Sequence, residues 1–430
     1  MFYRNASLVA RLSAALWVVS QIAAGATLCV NKKASSGCYP TINAAVAKAA
    51  AGDVVQVAIG TYPEDVVIGT AISLIGANPN NTIIDATGLA NGISITGVNG
   101  VLVSGFTIEN ANFEGVLLNQ VSQTTITNNH VVKNNVSLNI ADATCGGIPE
   151  FETAEGFDCG EGIHLSGVDH SIISNNLVAN NAGGILLSDD TGATHDNLIL
   201  GNTVQDNPFD CGITLASHPL FVAGPPTGPP TAAGVYHNTI TGNLSKHNGF
   251  QVPGAGAGVG LFSPAPFTKT YANVVVNNDL LDNGLPGVAL HAHAPGAGLS
   301  DNMIAGNRIQ NNGADTDDTA TSGPTGINVS GGDNGSGIPL DVITGTVIAG
   351  NVIKQETNGI VAKTNALVGA HLNDFIDVVT GVDNLAGSLP NSLVDARLNW
   401  WGCSAGPSAP GCAGISGMNI LFLPVLDSPY

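Results

Sequence analysis

The sequence has few charged residues and very few basic ones. Of its 430 residues, 12 are Lys or Arg and 32 are Asp or Glu, which gives a formal net charge of −20. Phosphate binding needs a basic face, so nucleic acid is disfavoured as a partner. A polyanionic glycan is disfavoured for the same reason, unless a divalent cation bridges it to the protein. The acidic balance is also compatible with solubility alone.

Long apolar runs are scarce as well. The longest, Leu12 to Ala24, lies near Arg4 and Arg11 and ends in the small residues Ala24-Gly25-Ala26. A positive start, an apolar middle and a small-residue end are typical of a cleavable signal peptide. The run is shorter than the ~20 apolar residues that a membrane span needs. We therefore predict a signal peptide over 1–26, export to the periplasm or the extracellular space, and no membrane insertion, with the oligomeric state left open.

The cysteines do not suggest a zinc site, because none of the seven occurs at C-x-x-C spacing. Predicted export permits disulfides. Cys29 and Cys38 lie close together near one end of the chain, and we predict that they pair. We predict a second disulfide near the other end, between Cys403 and Cys412. Pairing among the remaining three stays open, either Cys145 with Cys159 or Cys159 with Cys211.

Glycine and asparagine, in contrast, are abundant and periodic. The chain has 55 Gly, and a Gly followed by an apolar residue opens each of nine units. The shortest intervals, Gly92 to Gly115 and Gly162 to Gly184, are 23 and 22 residues. A repeat near this length indicates a solenoid. The opening glycines are Gly92, Gly115, Gly162, Gly184, Gly212, Gly258, Gly287, Gly326 and Gly359.

Asparagine forms a second register within these units, after short runs of Val, Ile and Thr. Stacked coils bring like residues together every ~4.8 Å, so Asn side chains can hydrogen-bond from turn to turn as ladders. Strand-forming residues argue against leucine-rich repeats, and the unit is too short for a propeller blade. We therefore predict an all-β, single-stranded, right-handed parallel β-helix of about nine coils. The first column is Asn129, Asn176, Asn202, Asn243, Asn278, Asn307 and Asn351, and Asn recurs five residues after all but the last.

The two ends differ from the middle, as the caps of a solenoid should. Residues 41–51 can form a short amphipathic helix, with Ile42, Ala45 and Val46 on the face that would cover the first coil. We predict that residues 27–91 form the N-terminal cap and first strands and that residues 92–365 form the coils. Residues 366–430 are expected to lose the period and to form an irregular C-terminal cap.

Two segments resemble known exported proteins. TINAAVAKAAAGDVVQVAIGTYPEDVVI resembles the opening of secreted bacterial β-helix proteins, including pectin-esterase-like and pectate-lyase-like ones. NWWGC resembles the terminal motif of exported β-helix repeat proteins, and the middle units resemble NosD-like and sugar-hydrolase repeats. The resemblance implies this fold and a carbohydrate partner, but the fold hosts lyases, hydrolases, epimerases and non-enzymes. The arginine base of pectate lyases has no evident counterpart, because Arg308 and Arg397 lie far from the acidic residues in sequence.

Candidate catalytic residues concentrate in coils three to five. Ile163 and Leu165 should point into the core, so His164 between them should point outward. Glu161 is the predicted general acid, because apolar neighbours raise a carboxyl pKa. Asp210, two coils and ~9.5 Å away, is the predicted base, a separation that suits inverting glycoside hydrolysis. His164 and His218 are predicted to bind hydroxyls or to hold these carboxylates in place.

Further polar residues recur at matching stages of the coils. Asp190, His218 and His293 each lie six residues after an opening Gly. Asp at such turns also caps backbone amides, which is a purely structural alternative. His291 and His293 would suit a metal, and a Ca²⁺ ion would suit the acidic residues Glu155, Asp158, Asp189 and Asp190. The predicted substrate-binding residues are Asp189, Asp190, His195, Asp196, Tyr236, His237, His291 and His293.

Taken together, these features predict a secreted polysaccharide hydrolase with a groove walled by the insertions 137–159 and 217–233. A lyase or epimerase is an alternative. A non-catalytic β-helix that binds glycan or protein is another, and a NosD-like accessory role is a third. Aromatic residues, on which sugars usually stack, make up only 5% of the chain, and this scarcity weakens the enzyme hypothesis.

Overall fold

The computed structural model describes residues 25–141, 144–146, 160–219, 232–251, 256–264, 266–292, 296–316, 321–332 and 340–430. Three parallel sheets run along the whole solenoid, with twelve, fourteen and eleven strands in the described residues. The chain visits the first, second and third sheets in order, as in Val116–Asn119, Thr125–Thr127 and His130–Val132. Each circuit returns it one strand further along every sheet, which is the predicted parallel β-helix.

The first sheet contains the strands that follow the opening glycines. Its strands are Val66–Ile68, Ile93–Thr96, Val116–Asn119, Glu161–Ser166, Gly183–Ser188, Ile213–Ala216, Val259–Ser263, Val288–Ala292, Thr325–Ser330, Asn358–Lys363, Thr380–Asn384 and Gly414–Gly417.

The second sheet extends furthest toward both ends of the solenoid. Its strands are Thr27–Val30, Val54–Val57, Ser73–Gly76, Leu102–Ser104, Thr125–Thr127, Ile172–Ser174, Leu198–Leu200, Thr239–Thr241, Val274–Val276, Met303–Ala305, Val347–Ala349, Leu367–His371, Leu393–Asp395 and Ile420–Leu421.

The third sheet closes each turn, and two small sheets accompany the three long ones. The third sheet comprises Gly60–Tyr62, Thr82–Asp85, Thr107–Glu109, His130–Val132, Leu177–Ala179, Thr203–Gln205, Leu244–Lys246, Asp279–Leu281, Arg308–Gln310, Val352–Lys354 and Asp374–Ile376. A three-stranded sheet of Thr194–His195, Val235–Tyr236 and Thr270–Tyr271 lies between the first and second sheets in the chain path, and Leu138–Asn139 pairs antiparallel with Thr144–Cys145.

All nine predicted units are present, and the solenoid continues beyond them. The strand Val66–Ile68 precedes the first opening glycine and pairs with the strand that follows it. Strands also continue through 366–430, the segment predicted to be irregular, where Thr380–Asn384 pairs in parallel with Asn358–Lys363. Gly381-Val382, 22 residues after Gly359, extends the same repeat. The prediction of about nine coils therefore omitted turns at both ends.

All three sheets contribute to the core, and the first sheet contributes the residue that follows each opening glycine and the inward residue two positions later. Ile163, Ile185 and Ile213 are fully buried in consecutive turns. The opening position itself has no room for a side chain. A Cβ on Gly115 would lie 2.3 Å from Val131 Cγ1 and 2.6 Å from the Gly162 carbonyl oxygen. Close approach of neighbouring turns therefore requires glycine here, which explains the period.

Asparagine ladders hold the turns together at the corners. Asn243 illustrates one rung: its Nδ2 donates to Asn278 Oδ1 at 3.0 Å and to the Ile199 carbonyl at 2.9 Å. The structure contains the two predicted columns and a third asparagine column that the prediction missed. Each member of the third column comes five residues before a member of the first. The third ladder is Asn197, Asn238, Asn273 and Asn302.

The two ends contain a short helix, a buried tryptophan and the two predicted disulfides. The helix Ile42–Val46 is shorter than predicted, but it buries Ile42, Ala45 and Val46 as expected, and a 3₁₀ turn covers Ser35–Gly37. At the far end Trp401 is fully buried and packs on Phe375 with ring centroids 5.1 Å apart. The predicted disulfides Cys29–Cys38 and Cys403–Cys412 are both present. The predicted signal peptide lies almost wholly outside the described residues.

Candidate functional site

A group of polar side chains lies on the outer face of the first sheet, in four successive turns. His164 pairs in register with Leu117 and Leu186, while its neighbours Ile163 and Leu165 point into the core, as alternation predicts. The group is nevertheless buried, with each residue at most 2% exposed. We call it the central cluster, and it consists of Glu114, Glu161, His164, Ser188, Asp190 and His218.

Hydrogen bonds connect the first half of the central cluster. The Glu161 backbone N–H donates to Glu114 Oε2 at 2.6 Å, and Glu114 Oε1 lies 2.8 Å from His164 Nδ1. His164 Nε2 lies 2.8 Å from Ser188 Oγ. A carboxylate on Nδ1 orients the imidazole and stabilises its protonated form. Glu114 therefore orients the His164 ring toward Ser188.

The second half continues through Asp190, whose carboxylate oxygen Oδ1 lies 3.2 Å from His218 Nδ1. Burial raises the pKa of Asp190, but the hydrogen bond and charge of His218, the charge of His164 and the Ser188 hydroxyl outweigh it and lower the pKa to about 2. Asp190 is therefore a firmly ionised partner for the imidazoles on both sides. The alignment predicted from counting six residues after each opening glycine is confirmed for Asp190 and His218.

Asp189, its neighbour, has a different environment. Its carboxylate accepts hydrogen bonds from the His218 backbone N–H at 2.6 Å, the Ser217 hydroxyl at 3.0 Å and the Gly234 backbone N–H at 2.5 Å. Burial nevertheless raises its pKa to about 6. These contacts show the structural capping role that was the alternative for Asp at turns. Glu155 and Asp158, predicted to join Asp189 and Asp190 around Ca²⁺, lie outside the described residues.

Glu161 and Asp210, the predicted acid and base, flank a glycine. Glu161 pairs in register with Gly183. A Cβ on Gly183 would lie 3.0 Å from both Cγ and Oε1 of Glu161 and 3.2 Å from Asp210 Cβ. Gly183 therefore leaves a gap between the two acidic side chains. Asp210 is half-buried and its Oδ1 accepts from the Cys211 backbone N–H at 2.6 Å.

Sequence reasoning missed Glu114. Its signal was present, because Glu114 precedes Gly115 as Glu161 precedes Gly162. A column counted one residue before each opening glycine would have stacked the two carboxylates. One donor atom from each of Glu114, Glu161 and His164 lies within 4.8 Å of the other two, so these residues could hold a metal ion.

The remaining predicted site residues form two further groups. In turn seven, His291 Nε2 lies 2.8 Å from Asp315 Oδ2, both side chains fully buried, and Asp315 was not predicted. His293, its predicted partner in a metal pair, lies outside the described residues. The other group is partly exposed and lies at the small three-stranded sheet, where the predicted residues His195, Asp196, Tyr236 and His237 lie with Asp169, His170 and Tyr271. We call Asp169, His170, His195 and Asp196 the corner cluster.

Cys211 forms no disulfide, so its alternative pairing with Cys159 is wrong. Its Sγ accepts a hydrogen bond from the Ala257 backbone N–H at 3.2 Å, and burial raises the pKa of the thiol. The insertions that were predicted to wall a groove, 137–159 and 217–233, fall largely outside the described residues.

Comparison with known proteins identifies the repeat. A family model described as "Right handed beta helix region" matches residues 72–334. No curated protein sequence matches significantly. Within the described part of the chain, no helix is long and apolar enough to cross a membrane.

Similar solved structures share the fold at low identity. The Dettilon tailspike protein gp208 is 14% identical with a TM-score of 0.51, over 88% of this chain and 64% of that one. The chain thus spans less than two thirds of the tailspike's length. An alginate lyase from Paenibacillus sp. str. FPU-7 is 11% identical (TM-score 0.44, covering 92% of this chain and 98% of that one). Pectate lyase Pel9A is 14% identical (TM-score 0.48, covering 87% and 80%).

Proposed function

The chain belongs to the family of proteins with a right-handed β-helix region, and on that premise we propose that it is a secreted enzyme that acts on a polysaccharide. The central cluster carries the proposal. Acidic and imidazole side chains follow one another through four turns of the first sheet, from Glu114 through His164 and Asp190 to His218. The carbohydrate partner implied by the resemblance of the segment from Thr41 to Ile68 to secreted β-helix proteins makes a polysaccharide the first ligand class to test.

Packing alone is a poor reason to bury this cluster. Burying an ionised group is costly by several kcal/mol even after relaxation. The apolar core and the asparagine ladders already hold the turns together, and they repeat in turns that lack the cluster. A buried acid with a displaced pKa beside an imidazole, such as Asp190 beside His218, is typical of functional sites.

We assign the chemistry to Glu161 and Asp210. Glu161, surrounded by buried residues, would donate a proton to the glycosidic oxygen, and Asp210 on the other side of Gly183 would activate water. Glu114 would position His164, and His218 with Asp190 would bind substrate hydroxyls. Hydrolysis is the proposed reaction, with elimination as its alternative. Neutral polysaccharides are the first substrate class, and acidic ones would need a bridging cation such as Ca²⁺.

A second candidate is a non-catalytic β-helix that binds glycan or a partner protein. Burial favours it, because every residue of the central cluster is at most 2% exposed and a substrate must reach the site past that cover. In this hypothesis the cluster would serve only to pack the outer face of the first sheet.

A panel of neutral and acidic polysaccharides tests the proposal, with each assay run in Ca²⁺ and in EDTA. New reducing ends without absorbance near 235 nm would show hydrolysis, and both signals together would show elimination. Neither signal with any substrate, together with saturable glycan binding, would replace the enzyme proposal with the binding one.

A further inference from the structure

We propose that the corner cluster binds a divalent transition-metal ion such as Zn²⁺, at a site separate from the central cluster. Its four residues lie at the bend between the first and second sheets, in two adjacent turns. His170 is 60% exposed and Asp196 42% exposed, so an ion can enter from solvent.

Backbone pairing fixes the arrangement. Asp169 and His195 form a parallel bridge, and the His170 N–H donates to the His195 carbonyl at 3.3 Å. One turn therefore presents acid then imidazole, and the next presents imidazole then acid. Each acidic residue therefore has an imidazole beside it in its own turn and another in the neighbouring turn.

The donor atoms already lie close together. One nitrogen from each of His170 and His195 and one carboxylate oxygen of Asp196 all lie within 4.8 Å of one another. Zinc binds such atoms at about 2.0–2.2 Å, which places neighbouring ligand atoms roughly 3–4 Å apart. Rotation of the exposed His170 and Asp196 side chains toward His195 would close that difference. Three protein ligands would leave one tetrahedral position for water or a substrate oxygen.

A carboxylate also prepares one of the two imidazoles for metal. Asp169 Oδ1 lies 2.7 Å from His170 Nδ1. A carboxylate that accepts from Nδ1–H leaves Nε2 with its lone pair, which is the ligand form of histidine. His195 Nδ1 lies 2.8 Å from Asp196 Oδ2, and a metal ion would take the place of the proton that these two atoms share. Asp169 Oδ1 also accepts a hydrogen bond from the Ser122 hydroxyl at 2.7 Å, which fixes the carboxylate in place.

Ring stacking holds the second imidazole in place. His195 stacks on Tyr236 with centroids 4.9 Å apart and planes 6° apart, and Tyr236 stacks on Tyr271 at 5.0 Å.

Imidazole donors select first-row transition metals such as Zn²⁺, whereas Ca²⁺ prefers six to eight oxygens.

Metal binding to the full mature protein tests the inference. After EDTA treatment and dialysis, Zn²⁺ titration followed by calorimetry should show a saturable site at one ion per chain. His170→Gln and His195→Gln should each weaken it at least tenfold, and Asp169→Asn about 10–100-fold as an outer partner. Circular dichroism melting confirms that each variant is folded.

Two controls make the outcome decisive. His247 pairs with Asp206 at 2.8 Å on a similarly exposed corner, but no second imidazole among the described residues contacts it, so His247→Gln should leave binding unchanged. Glu114→Gln removes a donor of the central cluster and should also leave it unchanged. An absence of saturable Zn²⁺ binding, equal weakening by His247→Gln, or loss of binding only in Glu114→Gln would each overturn the inference.

Discussion

Glu356 occupies the place of an asparagine at the end of the second ladder, and its substitution by glutamine should change how stability depends on pH. Glu356 Oε1 accepts from the Asn312 backbone N–H at 2.9 Å and from Asn312 Nδ2 at 3.1 Å. Burial raises the pKa of Glu356 from 4.5 to about 7, although the two hydrogen bonds from Asn312 oppose the shift. Glutamine can keep the accepting oxygen and cannot ionise.

The raised pKa sets the sign and the size of the effect. The folded state holds the proton more tightly than the unfolded chain, so stability is fully present below pH 4.5 and falls as the pH rises to about 7. A displacement from 4.5 to about 7 corresponds to about 3 kcal/mol at about 1.4 kcal/mol per pKa unit. Glu356→Gln should therefore resemble the wild type at pH 4.5 and be more stable by up to about 3 kcal/mol at pH 8.

Urea unfolding followed by circular dichroism at pH 4.5 and pH 8 measures this difference. Glu109→Gln is the control, because Glu109 is a half-buried glutamate at the end of a third-sheet strand, and Glu356 lies two residues after another strand of that sheet. Equal urea midpoints for wild type and Glu356→Gln at pH 8 would refute the reasoning, as would a gain of the same size in Glu109→Gln.

Two further substitutions test the fold and the site. Asn243→Ala removes the Nδ2 donor to Asn278 and Ile199 and the acceptor used by Asn202. In urea unfolding it should lower the free energy of unfolding by about 3 kcal/mol or more, whereas the control Thr241→Ala should change it by less than about 1 kcal/mol. Equal effects of the two substitutions would contradict the ladder's role. Gly183→Ala should push Glu161 and Asp210 apart and lower kcat/KM at least tenfold on the substrate found in the panel. The control Gly69→Ala should leave kcat/KM unchanged, because its Cβ would meet no atom within 4 Å. Unchanged activity in Gly183→Ala would show that the space at Gly183 plays no part in catalysis.

Periodicity made the fold predictable. Each turn repeats the same three features: an opening glycine, an apolar residue after it and an asparagine at a corner. They recur because every turn packs against its neighbours in the same way. At Gly115, for example, a side chain would collide with Val131. The ends were less predictable. Trp401 and its motif suggested an irregular cap, but Asn373 and Asn399 extend the first ladder there with the same hydrogen bonds.

The site was only partly predictable. Period-two alternation placed His164 on the outer face, and counting from the opening glycine aligned Asp190 with His218. Counting could not show that the outer face is buried, because exposure depends on what covers it. Asp315 was missed because it reaches His291 from a connection that has no fixed place in the repeat.

The most direct test of the proposed function compares two buried glutamates in one assay. Glu161→Gln and Glu356→Gln are equally conservative, but only Glu161 belongs to the central cluster. With the substrate found in the panel, Glu161→Gln should lose at least ~10²-fold in kcat/KM, the low end for removing acid–base catalysis, with its melting curve nearly unchanged. Glu356→Gln should keep full activity. A folded Glu161→Gln protein with wild-type kcat/KM would contradict the account.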